Sequence, residues 1–146
     1  MTNAVEKISH GHTLLAILIR AHYRSEGIEF FTPHDFSQQL AYMHRPAGYT
    51  IAPHVHNRVQ REVLFTQEVL FIKRGRVRVD FYDDDNRYVI TRTLVTGDVI
   101  MLAAGGHGIE MLEPTEIIEV KQGPYAGDQD KTRFEGISPD KVKITE

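Results

Sequence analysis

Short strand-like segments separated by turn residues are the feature that most constrains how this chain folds. Each segment is either an apolar run or an alternation of apolar and polar residues, and clusters of Gly, Pro and Asp interrupt them. Many short strands with such turns are typical of an antiparallel sandwich or a jelly-roll barrel. The pattern therefore predicts an all-β fold, with strands at residues 13–19, 38–43, 49–56, 69–72, 76–82, 87–94, 99–102, 109–112 and 116–121.

Helical patterns are scarce, so we expect only a few short helical turns. Asn3 and Asp35 are candidate capping residues for such turns at residues 3–9 and 35–40. The acidic cluster at 83–86 predicts a hairpin between its flanking strands, and residues 113–115 predict a second one.

The length of the chain, 146 residues, is that of one domain with a real core. We therefore expect a single domain over residues 1–146. Its barrel core would span about 13–122, and the region 123–146, rich in Gly, Pro, Asp and Lys, would form a surface tail.

Composition excludes several classes of protein. Apolar content of 41% and charged content of 25% are ordinary for a globular protein. A net charge of −3 argues against nucleic acid as a partner, because phosphate binding relies on a basic surface. The absence of cysteine excludes disulfides and favours a cytoplasmic location. The apolar run at 13–19 is too short to cross a membrane, so no membrane association is expected.

The pair His54 and His56 is the strongest functional signal. In an extended strand, residues i and i+2 point to the same face, so both imidazoles would lie on one side of a sheet. Glu68 and His107 follow downstream and supply a carboxylate and a third imidazole. Imidazole and carboxylate together suit a divalent transition metal.

These residues resemble the first motif of the cupin superfamily, a group of small β-barrels that often hold one metal ion. In that motif, five residues separate a glycine from His-x-His, and six separate the glutamate from a second glycine. Here Gly48 precedes His54-Val55-His56 by that spacing, and Gly75 follows Glu68 by the other. The stretch between His56 and Glu68 is longer than in the motif, which an enlarged hairpin over residues 57–67 would accommodate. Glu62 is the fallback carboxylate.

The second cupin motif is matched loosely. Gly97 and Gly105 stand at motif positions, and His107 comes one residue before the position at which the motif has its histidine. Ala103 replaces the proline of the motif, and Met111 stands where an asparagine is expected. The resemblance covers residues 48 to about 112. The chain also resembles small single-domain cupins that are encoded among bacterial polysaccharide and sugar-nucleotide genes.

The resemblance implies a jelly-roll barrel with one metal ion held by His54, His56, Glu68 and His107. The metal would be Zn, Fe, Mn, Ni or Co, since the donor set does not choose among them. The ligand would be a small polar molecule such as a sugar or nucleotide-sugar. An enzyme of this type would be a metal-dependent isomerase, epimerase or oxygenase.

Two other functions remain open from the sequence. One is a non-catalytic, metal-supported sugar-binding module. The other is a metal-free nucleotide-sugar isomerase that uses His54 or His56 as its base. Arg58, Gln60 and Arg61 lie in the insertion near the expected barrel mouth and are candidate substrate-binding residues.

A homodimer is also expected. Cupins commonly dimerise through edge strands, and an exposed strand edge invites pairing. The first predicted strand, Thr13–Ile19, is the candidate contact.

Overall fold

The computed structural model describes residues 3–144, which form an all-β protein with antiparallel sheets. Its described residues divide into a smaller compact unit, 24–65, and a larger one made of 3–23 and 66–144. Two short 3₁₀ helices, Gly127–Asp130 and Pro139–Lys141, lie in the C-terminal region. The strands are β1 (Val5–His10), β2 (Thr13–Ile19), β3 (Gly27–Phe30), β4 (Ala41–His44), β5 (Glu68–Arg74), β6 (Arg76–Tyr82), β7 (Tyr88–Val95), β8 (Val99–Leu102), β9 (Gly106–Met111) and β10 (Glu116–Lys121).

Two sheets and the core between them make up the larger unit. One sheet has the order β1-β2-β8-β5-β10 and the other the order β7-β6-β9. Residues from both sheets share a single buried apolar cluster, because alternate side chains of each strand point to the same side. Neither sheet closes into a barrel within residues 3–144. The cluster includes Leu18, Leu70, Ile72 and Ile100 from the first sheet and Val77, Val79, Phe81 and Leu94 from the second.

The hairpin between β6 and β7 confirms the turn predicted at 83–86. The carboxylate of Asp83 accepts backbone hydrogen bonds from Asp85 and Arg87, both at 2.9 Å. Asn86 adopts a positive φ of 63°, which asparagine tolerates better than most residues. Side-chain bonding to the local backbone explains why such a cluster reverses the chain.

Both predicted helical turns are wrong. Residues 3–9 lie mostly in strand β1, which pairs antiparallel with β2 from Val5 opposite Ile19 to His10 opposite Thr13. Residues 35–40 form no helix either. Backbone pairing with a strongly apolar neighbour outweighs a weak local capping signal.

The second predicted hairpin is wrong as well. The strands that flank residues 113–115 belong to different sheets, since β9 pairs with β6 and β10 pairs with β5. The turn therefore carries the chain from one sheet to the other. Turn residues alone predict that the chain changes direction, but they do not show which strand the next segment pairs with.

The proposed edge contact is corrected by the sheet order. Strand β2 lies between β1 and β8, so both of its edges are already paired. Ala16, Ile17 and Leu18 in its middle are fully buried. Thr13–Ile19 has no free edge with which to form the dimer contact predicted from its sequence.

The smaller unit contains a two-stranded ribbon of β3 and β4, with Gly27 opposite His44. The strand predicted at 38–43 starts later, as Ala41–His44. The loop that joins the two strands is held by the Thr32 hydroxyl, which donates to the side-chain oxygen of Gln39 at 2.7 Å. The strand predicted at 49–56 is absent, and residues 49–64 make neither a ladder nor a turn.

The C-terminal tail lies on the surface, as predicted, because no residue described from 123 to 144 is buried. Two tyrosine hydroxyls of the three-stranded sheet anchor it. Tyr82 accepts a hydrogen bond from the backbone of Ile137 at 2.9 Å, and Tyr88 accepts one from Lys143 at 2.7 Å. Within the described chain, no helix has the length and apolar character required to span a bilayer.

Candidate functional site

Strand β5 directs Glu68 toward the interior of the larger unit. Glu68 shares a face with Leu70 and Ile72, which both belong to the buried cluster. Its side chain is only 13% exposed, although it stands at the end of the strand. A carboxylate that faces an apolar core must be paired, protonated or bound to a cation.

His107 reaches the same interior from the opposite sheet. It lies on β9 directly opposite Phe81, a core residue of β6, and therefore shares its inward face. The Nε2 atom of His107 lies 4.0 Å from Oε1 of Glu68. The fold thus brings together two of the four predicted metal ligands, although they belong to different sheets.

A second carboxylate, Glu119, completes this cluster and was not among the predicted site residues. It lies on β10 opposite Leu70, and Lys121 on the same strand lies opposite Glu68. Glu119 is thus a diagonal neighbour of Glu68 and raises its pKa. Alternation along β10 puts Glu119 and Lys121 on the same side as Ile117, which packs against the core, although Glu119 itself is exposed.

The surroundings of Glu68 favour its neutral form. Burial raises the pKa of this carboxyl above its usual range, and the hydrogen bond and negative charge of Glu119 raise it further. The positive charges of Lys121 and Lys131 act in the opposite direction and are smaller in effect.

The surroundings of His107 favour a neutral imidazole. Burial lowers its pKa, and the positive charge of Lys131 lowers it further, while Glu119 partly opposes the shift. A neutral imidazole has one nitrogen that can accept a proton or bind a metal. His107 therefore has the protonation state that both roles need.

Lys131 comes from the surface tail, where the sequence contains no signal for a functional role. The hydroxyl of Thr66, which lies just before the first residue of β5, donates a hydrogen bond to the carboxylate of Asp130 in the tail. The side-chain oxygen of Gln122 accepts a hydrogen bond from the backbone of Gln67. These contacts position the segment that carries Lys131.

His54 and His56 lie together in the smaller unit. Their ring centroids are 5.2 Å apart, with the ring planes at 74°. The Nδ1 atom of His54 lies 2.8 Å from the carbonyl oxygen of Ala52, so Nδ1 carries the proton and Nε2 is free to bind a metal. Both side chains are exposed, and the segment is not part of a sheet.

The remaining predicted residues share that irregular segment. Arg58, Gln60, Arg61 and Glu62 are all exposed. Across residues 3–144, no three or more His, Asp and Glu side chains gather into a group that could hold a metal ion. The candidate site in the larger unit is the pair of Glu68 and His107, with Glu119 on the strand beside Glu68.

A metal ion is compatible with the donors of this cluster. Zinc bonds to imidazole nitrogen and carboxylate oxygen are each about 2.1 Å long, so two donors on a tetrahedral ion lie roughly 3.4 Å apart. The Glu68 and His107 atoms are 4.0 Å apart, so the two side chains would move slightly closer together to share an ion. A cation would also relieve the repulsion between the two neighbouring carboxyl groups. The cluster would hold the ion through Glu68 and His107, and two further ligands are needed for a tetrahedral site.

No protein-family model, curated protein or solved structure matches this chain.

Proposed function

We propose that this protein is a metal-binding cupin with a jelly-roll arrangement of its strands, and that it acts on or binds a small carbohydrate-type molecule. The observation that carries the proposal is the approach of Glu68 and His107 across the interior between two sheets. Both residues match motif positions that hold metal in cupins. The two facing antiparallel sheets support the jelly-roll assignment.

The chain's own residues would hold the metal and orient the substrate. Glu68 and His107 supply one carboxylate oxygen and one neutral imidazole nitrogen, and His54 and His56 supply two more imidazoles. When bound, Zn, Fe, Mn, Ni or Co would act as a Lewis acid on a substrate oxygen. The positive charges of Lys121 and Lys131 act on the Glu68 carboxyl, and these lysines would donate hydrogen bonds to hydroxyl or phosphate oxygens of the substrate.

Metal binding can be tested by elemental analysis and calorimetric titration of the untagged protein. We expect about one transition-metal ion per chain, lowered occupancy in Glu68→Gln and in His107→Ala, and unchanged occupancy in His22→Ala, whose side chain is exposed. Binding should release protons, because Glu68 must ionise before it can coordinate. A protein that stays metal-free after incubation with all five metals would contradict the proposal.

A second candidate is a metal-free isomerase that moves a proton with the same cluster. The 4.0 Å approach of Glu68 to His107 favours it, because a carboxyl with a raised pKa beside an imidazole with a lowered pKa can act as an acid–base pair. His107 would accept a proton from a substrate carbon, and Glu68 would donate one to the substrate. This assignment uses residues other than His54 and His56.

Substrate turnover measured in the presence of a chelator distinguishes the metal-dependent function from the metal-free isomerase. A panel of sugars and nucleotide-sugars is incubated with the metal-depleted protein. Isomerisation without metal, lost in Glu68→Gln and in His107→Gln, would support the acid–base enzyme. Turnover that depends on added metal would support the first proposal. Full metal occupancy without turnover of any sugar would support a binding module.

A further inference from the structure

One end of the tail segment 130–134 is fixed beside Glu68. The carboxylate of Asp130 accepts a hydrogen bond from the hydroxyl of Thr66. Thr66 lies two residues before Glu68, the first residue of β5. The segment therefore starts at the five-stranded sheet, next to the carboxyl group of the candidate site.

The other end of the segment is fixed beside His107. The ring of Phe134 meets the ring of Tyr82 edge to face, with the ring centroids 5.0 Å apart. It also lies so close to Gly106 that a Cβ atom there would be 2.9 Å from the ring. Gly106 directly precedes His107 and lies opposite Tyr82 in the three-stranded sheet. The missing side chain of Gly106 leaves the space that Phe134 occupies.

The length of the segment leaves it little freedom between these two anchors. The four residue steps from Asp130 to Phe134 reach at most about 14 Å. Packed sheets lie about 10 Å apart, so the backbone must cross almost directly from one sheet to the other. The charge of Lys131 acts on both Glu68 and His107, which is expected of a crossing that passes close to both.

The segment has the properties of a cover over the site. The side chains of Glu68 and His107 are only 13% and 30% exposed, although both residues stand at the ends of their strands. Residues 131–134, by contrast, are exposed and belong to no helix or strand. Exposed backbone without regular pairing opens at a lower free-energy cost than the strands of a core.

Tyr82 holds the tail on the outer face of the three-stranded sheet. It alternates with Phe81, a residue of the buried cluster, and so points away from the interior. Its hydroxyl accepts a hydrogen bond from the backbone of Ile137 at 2.9 Å. The tail therefore passes around the end of this sheet, from the candidate site on one side to Tyr82 on the other.

We propose that residues 130–134 form a lid over the candidate site, and that a ligand enters the site only when this lid opens. The latch of the lid is the packing of Phe134 against Tyr82 and Gly106. Closing the lid also brings Lys131 to the site, so the latch residues position a lysine that lies three residues away. The lid controls access to the site, and its contacts do not depend on whether the site holds a metal ion.

Thiol labelling measures the opening of the lid, because the chain has no cysteine of its own. Glu68→Cys places one thiol beneath the lid, and Glu119→Cys places one at an exposed position on the neighbouring strand. We expect Glu68→Cys to react more slowly with a maleimide. Adding Phe134→Ala should accelerate its reaction about threefold to tenfold, the factor expected for a lost aromatic contact, and should leave Glu119→Cys unchanged.

Tyr125→Ala is the matched control, since it removes an aromatic ring that is 88% exposed in the same tail. It should change neither labelling rate. A Glu68→Cys thiol that reacts as fast as the one in Glu119→Cys would overturn the lid. So would equal rates for Glu68→Cys with and without Phe134→Ala.

Gly106→Ala tests the latch from the other side, and by itself it does not require that Phe134→Ala folds. The added methyl group would displace the ring of Phe134, so labelling of Glu68→Cys should again accelerate. In a chain that already carries Phe134→Ala, it should add nothing, because the ring is absent. An unchanged rate in Gly106→Ala, or effects of the two substitutions that multiply, would overturn the latch.

None of these measurements uses a metal ion. A wild type that binds no metal would therefore contradict the proposed function and leave the lid in place. A protein that binds metal but shows no effect of Phe134→Ala on labelling would keep the function and lose the lid.

Discussion

Glu119 on β10 is the diagonal neighbour of Glu68 on the antiparallel strand β5, and its hydrogen bonding and negative charge raise the pKa of Glu68. Lys121 follows Glu119 on the same face of β10, directly opposite Glu68. The Glu68 side chain is only 13% exposed, whereas Glu119 is exposed, so the cost of ionising both carboxyl groups raises the pKa of Glu68.

Glu119→Gln should lower the pKa of Glu68. The substitution removes a neighbouring negative charge and keeps a hydrogen-bonding amide, whereas burial still opposes ionisation. Carbon-13 NMR titration of the Glu68 carboxyl measures the shift. Glu116→Gln, an exposed position at the start of the same strand, is the control. An unchanged titration in Glu119→Gln would exclude coupling between the two groups.

The same pair makes folding stability depend on pH. Because the folded-state pKa of Glu68 is raised, its contribution is fully present below the ordinary glutamate pKa and is lost as pH rises through the raised value. Glu119→Gln should therefore reduce the decline in unfolding free energy over that range. Urea unfolding at a series of pH values measures it. Equal declines in the variant and the wild type would contradict the assignment.

His107→Gln should reduce the loss of stability in mild acid. The folded-state pKa of His107 is lowered, so its contribution is present above the ordinary histidine pKa and is lost as pH falls toward the lowered value. Urea unfolding between these pH limits measures the difference. His22→Gln, which replaces an exposed imidazole in the same unit, is the matched control.

Thr91→Val should destabilise the larger unit by about 1–3 kcal/mol. The fully buried Thr91 hydroxyl donates to the carboxylate of Asp80 at 2.6 Å and lies 2.7 Å from the hydroxyl of Tyr88. Valine has nearly the same shape but leaves the buried carboxylate without this donor. Thr93→Val, a partly exposed position on the same strand, should change stability by no more than about 0.5 kcal/mol. Thermal or urea unfolding compares the two.

Gly105→Ala should destabilise the protein more than Gly11→Ala. Both glycines have a positive φ, 69° and 60°, so both variants incur a backbone cost of about 1–2 kcal/mol. A Cβ atom at Gly105 would also collide with the carbonyl oxygen of Tyr82 and lie 2.8 Å from a methyl group of Leu15. Nothing lies within 4 Å of a Cβ atom at Gly11. Equal losses in urea unfolding would show that the crowding is relieved by small shifts.

The strands of the larger unit were predictable where their patterns were strong. The apolar run at β2 and the alternation of β6 have the bounds predicted for them, and the hairpin after β6 contains the predicted turn cluster. Strand β1 was missed, because VEKISH has only two apolar residues, Val5 and Ile8, and its pattern is also compatible with a short helix. Its strand conformation comes from pairing with β2.

The candidate site was predictable only in part. Glu68 and His107 were named from motif spacing, and the structure brings them together. Glu119 and Lys121 were missed because an alternating strand contains as many inward as outward positions, and polar residues are usually outward. The segment 49–56 with His54 and His56 was predicted to be a strand, but a sequence pattern cannot supply a partner strand.

The sequence by itself determined the all-β class, the positions of the strongest strands and the first hairpin turn. These properties depend on side-chain alternation and local turn chemistry, which act between residues close in the chain. The tertiary structure decided which strands became neighbours, and so placed Glu119 beside Glu68 and His107 across from it. Strand pairing depends on contacts between distant segments. The alternation within one strand is compatible with many partner strands, and the packing of both sheets around one core selects among them.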